Sequence, residues 1–326
     1  MLFDQFKGTN MNFRKTALAL SVLGAVGMSG CGGSSHDHPQ VSTSVEVFDG
    51  FGLGCAVSVN GVAAAELGGG SYSAVGTFSD GAVFSATGCT DADTDAKLPA
   101  LSGVAQSGGV AISPITTLIV EAARAANPGA DTATVSATDL TAASTAIVTN
   151  LGLGSYDPVN PATANYVTAA AAAPTSASGD VMKQAMAIST LLKASEVSAG
   201  AAAASAVAAV AEAVANSTSV IDLAVEGNVT QLMTDAAAVD AAVAAALAVA
   251  STAAAANVAA IANAADAGVA AAVTQAVAVV LNDATADNVA DVAAVVPPTD
   301  PIDIGDTGET GGGSTGTGGT GGTGGI

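Results

Sequence analysis

The chain has 326 residues, 7 of them Lys or Arg and 28 Asp or Glu, for a formal net charge of -21. That shortage of cations excludes a nucleic-acid partner, and docking on an anionic membrane surface through a basic patch, because both need clustered Lys and Arg. Half of the residues are apolar, yet only 3% are aromatic and Trp is absent, so a core must be assembled from small side chains that each bury little area.

The first expected element is an export signal covering residues 1–30. Met11-Asn12-Phe13-Arg14-Lys15 supplies a positive start, and TALALSVLGAVGMSG supplies an apolar run ending in small residues. Met11 is therefore the expected translation start. The span from Thr16 to Gly30 is 15 residues long, short of the ~20 that a membrane-spanning helix needs. Met28-Ser29-Gly30-Cys31 resembles the lipobox of bacterial lipoproteins, with Met where that family usually has Leu. The resemblance implies cleavage before Cys31, acylation of Cys31 and a lipid anchor in the membrane. Gly32 stands where many such proteins carry an Asp that retains them in the inner membrane, which points to the outer membrane or cell surface. A plain signal peptide, with Cys31 as a disulfide partner, is the alternative.

Residues 31–43 read as a lipidated tether, polar and glycine-rich. His36 and His38, the only histidines of the chain, are two ligands on a flexible spacer, too few to make a metal site by themselves. With Cys31 acylated, Cys55 and Cys89 remain as an even pair in an oxidising compartment. Two buried thiols are the alternative to a disulfide between them.

From Ser44 to Ala96 and Lys97 the pattern alternates with period two. Cys55, Val57 and Val59 lead to Asn60-Gly61, a strong hairpin signal. Tyr72, Ala74, Gly76 and Phe78 alternate next, Ser79-Asp80-Gly81 turns the chain, and Ala82, Phe84 and Ala86 return. These residues predict a small β-sandwich over 44–98, stapled by Cys55 and Cys89 because so small a domain is marginal without one.

Helical signals follow. Ser113-Pro114 before ITTLIVEAARAAN supplies an N-cap and a proline at the first helical position, and Asn127-Pro128-Gly129 ends the run. Asp139 to Leu151 and Ala162 to Ala173 read as further helices, which predicts a helical module over 99–195. Residues 196–297 are expected to form alanine-rich helices interrupted near Gly200, Asn216-Ser217-Thr218 and Gly227. Val229, Leu232, Met233, Val239, Val243 and Leu247 recur there at three- and four-residue steps. Residues 241–265 carry no charge, but the absence of flanking Lys, Arg, Trp or Tyr favours a buried helix over a membrane span. The tail over 298–326 is low in complexity and reads as disordered. The expected fold class is α+β: a disulfide-stapled sandwich, then an alanine-rich antiparallel helical bundle, then a Gly/Thr tail.

Several landmarks together resemble a module of bacterial exported lipoproteins and surface adhesins. They are Gly70-Ser71-Tyr72, Ser113-Pro114-Ile115-Thr116-Thr117-Leu118, Leu151-Gly152-Leu153, Asp157-Pro158, and the helix from Val181 to Leu192. The likeness covers about residues 45–195 and implies a β-module followed by helices. Members of that family often carry an acidic, calcium-binding loop in the second hairpin, which this chain replaces with VNGVAAAELGGG. Asp91, Asp93 and Asp95 stand at alternate positions like the opening of a calcium loop, although Ala96 and Ser102 occupy the places of its glycine and its bidentate Glu. A solvated acidic turn is the alternative.

Catalysis is not expected. Both histidines fall in the tether, so no Ser-His or Cys-His dyad can form within a folded domain, and no phosphate loop or dinucleotide fingerprint occurs. No cofactor is implied beyond the calcium candidate. A lipid-anchored surface protein with a structural, adhesive or interaction role fits best, its partners being the membrane, other surface molecules or further copies of itself. A self-assembling filament or coat subunit is the runner-up. Ice binding is a more distant alternative, since Thr230, Thr252 and Thr274 recur at 22-residue steps but Ala241 and Asn263 interrupt the array.

Overall fold

The computed structural model describes residues 41–129, 132–292 and 294–305. The expected signal peptide, Cys31, the tether with His36 and His38 up to residue 40, and the tail beyond residue 305 lie outside the described residues.

Strand structure begins inside the stretch expected to be tether. β1 (Ser42–Val47) turns Val45 and Val47 inward, and the chain continues through β2 (Gly52–Leu53), β3 (Ala56–Val59), β4 (Val62–Gly68) and β5 (Ser71–Val75). β6 (Val83–Thr87), β7 (Thr90–Asp91), β8 (Leu101–Gln106) and β9 (Gly109–Ile112) complete the set among the described residues. Asn60 and Gly61 join β3 to β4 with φ of 49° and 79°, the double left-handed geometry that a two-residue hairpin requires.

The strands do not stack into a sandwich. They close into a barrel in the order β1-β5-β4-β3-β6-β8-β9, and β2 and β7 form a small separate sheet at its end. The closure depends on β9, which pairs antiparallel with β8 and parallel with β1 through Val45 opposite Val110 and Val47 opposite Ile112. Leu101 to Ile112 belong to the barrel, beyond the expected boundary at residue 98. Gly103 permits the fit, since a Cβ there would stand 2.1 Å from the Ala111 carbonyl oxygen. Val45, Val57, Tyr72, Phe84, Leu101 and Ile112 fill the interior with their neighbours.

The expectation of a separate bundle is also corrected. Phe48, Phe51, Val83, Val104 and Ala111 of the β-module share one continuous core with the helices, so the helical layer packs directly on the β-module. The joint begins with α1 (Pro114–Ala125), whose N-cap is Ser113 and whose first residue is Pro114. Thr116 Oγ1 accepts from Ser113 N at 2.7 Å and donates to the Ser102 carbonyl at 2.7 Å. Thr117 Oγ1 accepts from Ser102 N at 2.8 Å and donates to the Ser113 carbonyl at 2.8 Å. The Ser-Pro-Ile-Thr-Thr-Leu string thus bolts a helix start to β8, and buries Ile115, Leu118 and Ile119 beneath it.

The remaining helices are α2 (Ala137–Asn150), α3 (Val167–Ala172), α4 (Ala177–Ala199), α5 (Ala203–Asn216), α6 (Glu226–Val239), α7 (Ala244–Ala262) and α8 (Ala267–Leu281). α4 is the central one, touching α1, α3, α5, α7 and α8. Alanines at 250, 253 and 254 on α7 and at 270 and 271 on α8 are buried. Gly200, with φ of 52°, breaks α4 from α5. The stretches Ala177–Asn216 and Ala244–Ala262 are long and apolar enough to cross a membrane by length and composition, and both contribute to the shared core. The first residues of the expected tail run back across the helices: Ile302 N donates to the Gly268 carbonyl at 3.2 Å.

Candidate functional site

The three aspartates singled out by spacing lie at the junction of barrel and helices, and each has a different task there. Asp91, on β7 opposite Gly52, is 2% exposed. Its carboxylate accepts from Gly50 N at 2.5 Å, Asp93 N at 2.8 Å and Thr94 N at 2.9 Å. Asp93 accepts from Gly305 N at 3.1 Å and so anchors the returning C-terminal segment. Asp95 takes a left-handed backbone with φ of 56°, and its carbonyl accepts from Asn282 Nδ2 at 2.9 Å. Lys97 N in turn donates to Asn282 Oδ1 at 2.8 Å.

Asp91 therefore organises a turn, Asp93 holds the segment at Gly305, and Asp95 contributes its backbone carbonyl. Among the described residues no group of three His, Cys, Asp or Glu side chains is arranged to hold a metal ion. Asp91 closes the tight turn by accepting the N–H groups of Asp93 and Thr94. Gly50 is required beside it: a Cβ there would stand 2.6 Å from Asp91 Oδ2 and 2.9 Å from Asp93 Oδ2.

Sequence reasoning missed the most unusual residue of the junction. Asp49 follows Phe48 in the turn between β1 and β2 and is 2% exposed. Ser189 of α4 hydrogen-bonds its carboxyl group, while Oδ1 has no partner among the described residues. Burial, reinforced by the Asp91 charge and opposed by the Ser189 hydroxyl, pushes its pKa up to about 8. Burial raises Asp91 as well, but the backbone N–H groups of Gly50, Thr94 and Asp93 oppose the shift. The Tyr166 hydroxyl is also buried without a partner among the described residues. Its pKa lies well above the usual tyrosine value, first through burial and then through the charge of Asp49. Tyr166 packs edge-on to Phe48 with ring centroids 5.3 Å apart, which holds it against the turn that carries Asp49. Asp-Gly between apolar residues reads in a sequence as an ordinary surface turn, so nothing in it signalled burial.

The disulfide lies near the same end of the barrel. Cys55 and Cys89 are bonded, with Cα atoms 4.3 Å apart. The Tyr72 hydroxyl donates to the Gly52 carbonyl at 2.9 Å and accepts from Cys55 N at 3.1 Å. The larger surface grooves are elsewhere. One of about 580 Å³ borders Arg124 and Ser136, and a shallow one of about 900 Å³ runs along Thr141, Thr145 and Thr149. No protein-family model, curated protein or solved structure matches this chain.

Proposed function

We propose that the chain is an exported lipoprotein, held in the outer membrane or at the cell surface through acylated Cys31, with a structural, adhesive or interaction role and no catalysis. The observation that carries this reading is the use of sulfur. The chain has three cysteines; Cys55 and Cys89 are bonded to each other, and the third stands behind an apolar run and small residues in the pattern that resembles a lipobox. A structural disulfide also fits an oxidising compartment. Both histidines precede the described body, which weighs against imidazole acid–base chemistry within it.

Palmitate labelling and membrane fractionation of the full chain test the proposal. The expected result is label in the wild type and none in Cys31→Ser, with that variant released to the soluble fraction. Unlabelled wild type, or a Cys31→Ser variant that fractionates unchanged, overturns it.

A further inference from the structure

The junction contains a buried acid for which the surface-anchor reading has no use. We propose that Asp49 makes the seam between the β-module and the helical layer a pH-responsive joint, closed while its carboxyl group carries a proton and loosened when the group ionises. The groups acting on it come from three sides of the seam: Asp91 from β7, Tyr166 from the segment before α3, and Ser189 from α4.

The hydrogen bonds decide which of the two buried carboxyl groups keeps the proton. Three backbone N–H groups converge on Asp91, and such donors favour a carboxylate. Asp49 has one hydroxyl partner and a buried oxygen with none among the described residues. An anion there is poorly solvated and stands close to a second anion, so the neutral acid is the form the closed seam accepts. Ionisation is accommodated by letting water in, which means parting the turn at Asp49 from Ser189 on α4.

The size of the response follows from linkage. The closed seam holds the Asp49 pKa at about 8, whereas a solvated aspartate titrates near 4, so opening becomes about tenfold more frequent per pH unit between those limits. The joint tightens as pH falls and is independent of the lipid, so Cys31→Ser leaves it intact.

Hydrogen exchange of the full chain between pH 5 and 8, corrected for the intrinsic pH dependence of exchange and read in peptides spanning residues 166–192, tests the joint. The wild type is expected to open about tenfold more per pH unit, and Asp49→Asn to show no such slope. A flat wild type, or a variant with the wild-type slope, overturns the proposal. Should Asp49→Asn fail to fold, the infrared spectrum of the wild type at pH 7 decides. Exposed carboxyl groups are then ionised, so a carbonyl band of a protonated acid supports the proposal and its absence overturns it.

Discussion

The barrel interior is built around Tyr72, Phe84, Leu101 and Ile112, whereas α7 and α8 bury mainly alanine and valine. Strands pair across long sequence separations and enclose a few large side chains, so the barrel depends on each of them and on the Cys55–Cys89 bond. The helices gain from many close contacts, and no single alanine carries much of the total. A region of the first kind is weakened most by losing atoms. A region of the second kind is weakened by gaining them.

Truncation in the barrel is the severest test of this contrast. Phe84 is fully buried and stacks edge-on to Phe78 at 5.2 Å; Phe84→Ala is expected to cost about 3–5 kcal/mol in urea unfolding. Removing the bond with Cys55→Ser and Cys89→Ser together, across a separation of 34 residues, should cost ~3–4 kcal/mol on the chain-entropy model. Enlarging a helix contact is milder. Ala270 on α8 has no exposed surface, and Ala270→Leu is expected to cost about 1–3 kcal/mol by overpacking, against a negligible change for leucine at exposed Gln275.

The pH dependence is of similar size over about two pH units. Asp49 has a folded pKa of about 8, above the ~3.9 of an unfolded chain, so the native state binds its proton more tightly. The stability it contributes is complete below about pH 4 and is lost by about 1.4 kcal/mol per unit as pH rises toward 8. Asp91 is shifted in the same direction, and comparison of wild type with Asp49→Asn in urea titrations at pH 5 and 7 isolates the Asp49 share. A variant as pH-sensitive as the wild type would remove Asp49 from the explanation. The smallest effect belongs to the cap of α1, where Ser113→Ala is expected to cost ~1 kcal/mol.

Local chemistry was the legible part of this fold. Asn60-Gly61 identifies a hairpin, Ser113-Pro114 identifies a helix start, and the count of cysteines identifies a bridge, because each depends on neighbours in sequence or on simple arithmetic. Barrel closure depends on β9 lying beside β1, with Val45 opposite Val110, and nothing local encodes that distance. The helical reading of residues 99–112 fails at Gly103, which is there for the close approach of β8 to Ala111. The junction was half visible. Alternating Asp91, Asp93 and Asp95 drew notice for an oxygen-ligand pattern, but their oxygens and carbonyls serve backbone N–H groups and Asn282. Asp49 carried no signal, since its burial is created by α4 and Tyr166, more than a hundred residues away.

Because barrel and helices share one core, clamped at Ser102 by Thr116 and Thr117, they are expected to unfold together. Scanning calorimetry of the full chain at pH 5, where Asp49 is protonated, should give one transition whose calorimetric and van't Hoff enthalpies agree. Two resolved transitions, one abolished by reducing the disulfide and the other unaffected, would mean that the barrel and the helices are separate domains.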